Sequence, residues 1–340
     1  MYCRAQDFLL YVCMCVARVD PAHRWHAYCS SLPTAPQEPC RWPNAVLDEL
    51  RASGTAQSLI AAVDEARSEL ARAQALLDRL VAAHPAAFPA AAFGPTLGLA
   101  WARGCYVSRR FPEKLVASAA SAASAASAAS AADADAKAAV PPPAVQLIGS
   151  PARGCLLPVI DLINHRHCEP VTWSADGDAV KLICDARVAA GEEIFNNYGS
   201  GRSNESLLFC HGFATGNNCF DTFGLRITLR TAENAVLSSK PFLLHTRAGG
   251  IPNDLWATLM GEEWGGGDEP PPPEVVGLLA SVLTAKLAPL RDCEAEDARC
   301  IAAAATARGD DVLRVHIAHL RNGYRRVLRE LIDQKLTDQH

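Results

Sequence analysis

The sequence predicts an α+β protein, with an irregular, β-rich core set between helical segments. Three observations carry this. Leu59, Val63, Ala66, Leu70, Ala73, Leu77 and Leu80 alternate spacings of four and three, which draws a single apolar stripe along one long helix. Between Cys155 and Phe213 the chain breaks into short segments divided by turn residues, a pattern of strands rather than helices. After Phe220 the helical period returns and runs to the C-terminus.

Taken in order, residues 6–19 read as a helix ended by Asp20-Pro21. Its apolar run Phe8–Val16 is too short to span a bilayer. Asp7 precedes it, and no small-residue cleavage pattern follows, so the run reads as a buried helix face. Asn44 is placed to cap a short helix to Leu50. The striped helix covers 56–83 and stops at His84-Pro85; its stripe reads as core packing. Residues 96–111 form the next helix. Residues 117–143 are a Ser-Ala repeat closed by prolines, which reads as a flexible insertion because it has no apolar face to dock.

The stretch 155–213 carries the chemistry. The apolar run from Leu156 to Ile163 reads as a buried strand or helix that delivers Asn164 and His165 to an edge. Val171–Trp173 and Val180–Ala186 read as a hairpin, with Val180, Leu182, Cys184 and Ala186 on one face. Ile194–Tyr198 reads as a strand stopped by Gly199, with the Tyr198 hydroxyl in a cleft. Gly199-Ser200-Gly201 has neither a third glycine nor a parallel βαβ context, so it is no dinucleotide loop. Ser203 or Asn204 caps a short helix, 205–211. Beyond it come a strand at 223–229 and helices at 253–260, 274–288, 293–307 and 310–335. The last places Val312, Val315, His319, Tyr324, Val327, Leu328 and Leu331 on one side.

Composition narrows the function classes. The 340 residues fit two domains, and a net charge of −5 without a run of like charge argues against a nucleic-acid partner. The 13 cysteines are scattered, with no C-x-x-C pair. They read as free thiols of an intracellular, reducing compartment, with cytoplasm, nucleus and chloroplast not distinguished. No metal is expected: His165 and His167 have chelating spacing, but no third ligand accompanies them.

Three motifs stand in order: Asp161-Leu162-Ile163-Asn164-His165, then Gly191–Gly199 (GEEIFNNYG), then Ser203-Asn204 through Gly212-Phe213. Together they resemble the SET-domain protein methyltransferases, in the subgroup of the Rubisco large-subunit lysine methyltransferase and the actin-histidine methyltransferase. The resemblance implies an S-adenosylmethionine-dependent protein-lysine N-methyltransferase that acts on a lysine-bearing, non-histone protein. No nucleic acid, membrane or oligomer is expected with it. It implies Tyr198 as the catalytic residue, Asn164 and His165 on the cofactor, and His211, Gly212 and Phe213 closing the cofactor pocket. Asp161 opens the first motif and faces cofactor or substrate. Trp101 and Ser108-Arg109 match a helix whose arginine contacts the cofactor in the family; by residues alone Arg109 is a helix-C-terminal arginine serving the macrodipole.

The implied organisation is a helical insertion of a SET domain (1–115), a linker (116–143), the SET catalytic core (144–215) and a helical Rubisco-methyltransferase-like substrate-binding domain (216–340). SET domains open with strands that carry a Gly-x-Gly cofactor loop. Nothing before Phe8 supplies one, so the chain is expected to open inside the insertion. Two alternatives follow: a non-catalytic protein-binding module, and a protein-histidine methyltransferase.

Overall fold

The computed structural model describes residues 5–112, 154–176, 179–199, 201–227, 241–247, 250–260 and 271–336. The Ser-Ala repeat lies outside them, as do Gly177-Asp178, the end of the strand expected at 223–229 and residues 261–270. The fold is α+β. Two compact units are each drawn from separate stretches: Met1–Pro36 with Ser68–Arg202, and Gln37–Arg67 with Ser203–His340.

In the first unit, α1 (Ala5–Val19) buries Phe8, Tyr11, Val12 and Cys15, spaced three, one and three apart on one face. It packs against α2 (His26–Ser31) and against the helix Leu99–Arg109. That helix buries Trp101, Ala102, Cys105 and Tyr106. The indole Nε1 of Trp101 donates to Pro33 O at 2.8 Å, and the Arg18 guanidinium lies 4.7 Å from its ring centroid. Strands β1 (Phe111–Pro112) and β2 (Gly154–Cys155) pair antiparallel, Phe111 opposite Cys155. Strands β3 (Val171–Asp176) and β4 (Ala179–Cys184) form the expected hairpin, with Trp173 opposite Leu182.

In the second unit, α3 (Asn44–Ala52) precedes the long α4 (Gln57–Ala83), which continues into the first unit. Of the predicted stripe, Leu59, Val63, Ala66, Ala73 and Leu77 are buried, and Leu70 and Leu80 are half-buried. The order continues with α5, the Leu99–Arg109 helix of the first unit, and α6 (Asn204–His211). Then come β5 (Phe223–Leu225) paired with β6 (Phe242–Leu244), α7 (Asn253–Met260), α8 (Pro273–Asp292), α9 (Glu294–Ala302) and α10 (Asp310–Glu330). Helix α8 is long and apolar enough to cross a membrane by length and composition, and Val276, Leu279, Leu283, Leu287 and Leu290 form one buried stripe along it. Asp297 ties α9 to α10: its carboxylate accepts from Arg321 at 3.2 Å and from Arg325 at 2.7 Å, all three side chains almost wholly enclosed. Arg325 also donates to Leu290 O at 2.6 Å, which brings α8 into the same clamp.

Several local expectations are corrected. Asn44 is the first residue of α3, not its cap. The run Leu156–Ile163 is neither a strand nor a buried helix. The chain turns after Pro158, Val159 takes a left-handed φ of 77°, and a single 3₁₀ turn, Ile160–Leu162, follows. The turn sends Asp161 inward and leaves Val159 74% and Leu162 55% exposed. Ile194–Tyr198 is not a strand either; only Asn196 pairs, in one bridge to His165. Strand β4 ends at Cys184, so Ala186 lies beyond it and exposed. The helix expected over 293–307 stops at Ala302, and α10 ends at Glu330 in a π-turn, Leu331–Leu336. Among the described cysteines none is bonded to another; Cys15, Cys29, Cys40 and Cys105 are buried, and Cys13, Cys168, Cys184 and Cys219 are exposed.

Two carboxyl groups in the second unit make its stability depend on pH. Burial raises Glu205 to about 7 and Asp221 to about 6, from ordinary values of 4.5 and 3.8. A raised folded-state pKa means the folded protein binds more protons, so this stability is full below about 4 and lost as the pH climbs through 6 to 7. Urea midpoints measured from pH 4 to 8 are expected to fall with rising pH. Glu205→Gln is expected to flatten the curve by on the order of 3 kcal/mol.

Candidate functional site

The first two motifs meet through backbone. Asn196 N donates to Asn164 O at 2.7 Å, and Arg166 N donates to Asn196 O at 2.9 Å. These two bonds form the bridge between His165 and Asn196. Trp173 of β3 fixes the same asparagine, with its Nε1 donating to Asn196 Oδ1 at 3.2 Å.

Tyr198 is held on every polar atom. Its hydroxyl donates to Ile163 O at 2.9 Å, and its N–H donates to His165 Nδ1 at 3.1 Å. Its carbonyl accepts from Arg202 Nε at 2.7 Å. Its ring stacks on His165, with centroids 5.1 Å apart and planes at 29°. Burial raises the phenol above its ordinary range; the Arg109 cation lowers it, and the Asp161 carboxylate raises it. The Asn164 amide donates to Glu193 Oε1 at 2.7 Å.

Asp161 sits behind this pair, its side chain fully enclosed. Arg109, the last residue of α5, donates through Nη1 to Asp161 O at 3.0 Å and lies 3.5 Å from its Oδ2. Tyr28 of α2 donates to the same Oδ2 at 2.6 Å. Burial, and then the bond to Asp161, push the Tyr28 phenol well up, so it stays a donor. Sequence reasoning missed Tyr28, because nothing around His26–Ser31 marks it and its partner is distant in the chain. Asp161 Oδ1 and Arg109 Nε are buried with no hydrogen-bond partner among the described residues. The structure thus brings together Arg109, Asp161, Asn164, His165 and Tyr198, and adds Tyr28.

His211, Gly212 and Phe213 belong to the second unit. Gly212 ends α6 at φ 81°, and a Cβ there would lie 2.6 Å from Gln37 C and 2.8 Å from Gln37 O, so only glycine fits. Ser203 caps the helix by accepting from Ser206 N at 3.3 Å. Asn204 holds the loop after Phe213: its Oδ1 accepts from Thr215 N at 2.8 Å and its Nδ2 donates to Thr215 O at 2.9 Å. His316 of α10 accepts at Nδ1 from Ala214 N at 3.3 Å. Among the described residues no group of three His, Cys, Asp or Glu is placed to hold a metal ion.

No protein-family model matches the chain. A segment is 42% identical over 77 residues to Ribosomal lysine N-methyltransferase set10 of Schizosaccharomyces pombe, which is 22% of this chain and 14% of that protein. Another match is 33% identical over 89 residues to Ribosomal lysine N-methyltransferase 1 of Saccharomyces cerevisiae, covering 26% of this chain and 15% of that protein. The chain therefore spans 14 to 15% of the length of these curated relatives. Two solved structures share its fold: the SET domain of LSMT bound to lysine and AdoHcy, and Rubisco LSMT bound to AdoMet. Each has a TM-score of 0.62 over 98% of this chain and 74% of the other, at 16% and 15% identity.

Tyr28→Phe is expected to remove a donor from an enclosed carboxylate and leave the rest of the packing in place. The expected cost is roughly 1–3 kcal/mol of unfolding free energy, read from urea denaturation. An unchanged midpoint would contradict the Tyr28–Asp161 bond.

Proposed function

We propose that this chain, which carries the fold of the Rubisco-type SET-domain lysine methyltransferases, forms the core of an S-adenosylmethionine-dependent protein-lysine N-methyltransferase that acts on a non-histone protein. The observation behind this reading is the meeting of two motifs on one backbone bridge. It brings a half-buried tyrosine hydroxyl, a main-chain carbonyl and the Asn164-His165 pair into one place. The similarity to lysine methyltransferases of two yeasts supports it. The absence of disulfides among the described cysteines suits a reducing compartment.

The residues present fit the cofactor's amino-acid end. Arg109 Nε is a buried donor and Asp161 Oδ1 a buried acceptor, and neither has a partner among the described residues. A ligand carrying a carboxylate and an ammonium group would satisfy both. We propose Arg109, Asp161, Asn164 and His165 as the residues that hold it. When bound, the cofactor supplies a sulfonium methyl group as the electrophile.

The chain's own part is orientation and proton control. The Tyr198 oxygen, held in place by its bond to Ile163 O, is an acceptor of the kind that aligns a methyl group through weak C–H···O contacts. The lysine nucleophile must be neutral, and an enclosed approach favours loss of its proton. Tyr198 keeps its own proton well into the alkaline range, because burial opposes the phenolate. The rate is therefore expected to rise with pH as lysine deprotonates, without a falling limb from Tyr198 below about pH 10.

Calorimetric titration of the 340-residue chain with S-adenosylmethionine tests the reading. Binding is expected, weakened roughly tenfold or more by Asn164→Ala through the lost amide. Tyr198→Phe is expected to bind within about twofold but to lose methyl transfer by roughly a hundredfold. A folded protein that shows no binding would overturn the proposal.

A further inference from the structure

We infer that His167 is a positioning residue that holds Tyr198 through His165, in a hydrogen-bonded chain whose direction is imposed by the backbone. The inference rests on the reading of Tyr198 as the methyl-transfer tyrosine.

A main-chain N–H can only donate. Tyr198 N lies 3.1 Å from His165 Nδ1, so Nδ1 must carry a lone pair. A neutral imidazole with Nδ1 bare has its proton on Nε2. His165 Nε2 lies 3.3 Å from His167 Nδ1, so His167 must in turn accept there. The order is therefore Tyr198 N–H to His165, and His165 Nε2–H to His167. Burial keeps both rings neutral: it lowers His165 to about 4, with His167 adding to the effect and a backbone hydrogen bond with Asn196 opposing it, and it lowers His167 as well.

The ring contacts repeat the same arrangement. His165 lies flat against Tyr198, and His167 meets His165 edge-on, with centroids 4.6 Å apart and planes at 83°. Arg166, between the two histidines, turns elsewhere. Its guanidinium covers the Phe195 ring at 4.4 Å and pairs with Glu169. The spacing of two puts both histidines on one side of the chain and the arginine on the other.

What His167 contributes is the ring orientation and tautomer of its neighbour. Without an acceptor at Nε2, the His165 ring can take the tautomer with a proton on Nδ1, or turn over. Either change sets a donor or a carbon against Tyr198 N–H and loosens the stacked phenol. The Tyr198 hydroxyl would then wander from Ile163 O, and misplacement on the order of 1 Å is enough to slow an alignment-dependent reaction severely. His167 touches no reacting atom in this scheme and acts only through His165.

The test uses His167→Phe and His167→Asn in the full chain. Phenylalanine keeps the edge-on ring without the acceptor, whereas asparagine places an amide oxygen near the Nδ1 position. The first readout needs no substrate: the ring resonances of Tyr198 in tyrosine-labelled protein, assigned by their loss in Tyr198→Phe. They are expected to shift in His167→Phe and to return toward the wild-type position in His167→Asn. The second readout is turnover, in which His167→Phe is expected to lower kcat roughly tenfold with KM for the cofactor unchanged, and His167→Asn to recover most of it. Tyr198 resonances and kcat that both ignore His167→Phe would overturn the inference. A chain that turns over no protein would count against the methyltransferase reading, and the resonances alone would then decide the positioning role.

Discussion

Two backbone hydrogen bonds, 2.7 and 2.9 Å long, govern the site: those that join Asn196 to Asn164 and to Arg166. They make the only bridge between the segment that carries Asp161–His165 and the segment that carries Tyr198 among the described residues. Everything polar around Tyr198 follows from that crossing. Once residue 196 sits opposite residue 165, Tyr198 N reaches the His165 ring and its hydroxyl reaches Ile163 O. An isolated bridge has little intrinsic stability, so side chains reinforce it. Trp173 donates to Asn196 from the hairpin, and the Trp173 ring meets Phe111 at 4.9 Å. The irregular segment is thereby tied to two regular elements, β1 and β3.

Much of the site was legible because its residues sit in short, dense motifs. Asp161, Asn164, His165 and Tyr198 were all named from the sequence, and the structure collects them. The motif gave their identity without the geometry. The segment Ile194–Tyr198 has strand composition but a single pairing partner, so it stays irregular and leaves Ile194 48% exposed. The run from Leu156 to Ile163 looked buried because hydropathy cannot register a left-handed residue after a proline. The turn at Val159 inverts which side chains face inward, so a charged residue is enclosed and two aliphatic ones are exposed. Tyr28 was invisible for a different reason. Its partner is 133 residues away in the chain, and no local pattern encodes a contact of that range.

The third motif reads differently once its atoms are placed. Ser203, Asn204, Glu205 and Gly212 belong to a structural apparatus that shapes the segment after α6. Asn204 is spent on Thr215 and on Asp221, which accepts from Asn204 N at 2.8 Å and from Arg326 at 3.1 Å. Close approach completes it: a Cβ on Gly323 of α10 would lie 2.1 Å from Asp221 Oδ2, so the helix meets the carboxylate only where no side chain stands. Long helices were predictable from period alone, whereas this buried polar work was not, because Glu and Asp normally signal surface. The enclosed Arg321 and Arg325 on α10 escaped notice for the same reason.

Strands β1 and β2 set Phe111 opposite Cys155 and Pro112 opposite Gly154, so residues 112 and 154 are neighbours in space although they are far apart in the chain. The intervening sequence, which includes the Ser-Ala repeat, is anchored at both ends by this pairing. The entropy of closing a connection grows only with the logarithm of its length, about 0.6 kcal/mol for each doubling. With its two ends paired, a change in the length of this stretch costs the fold little.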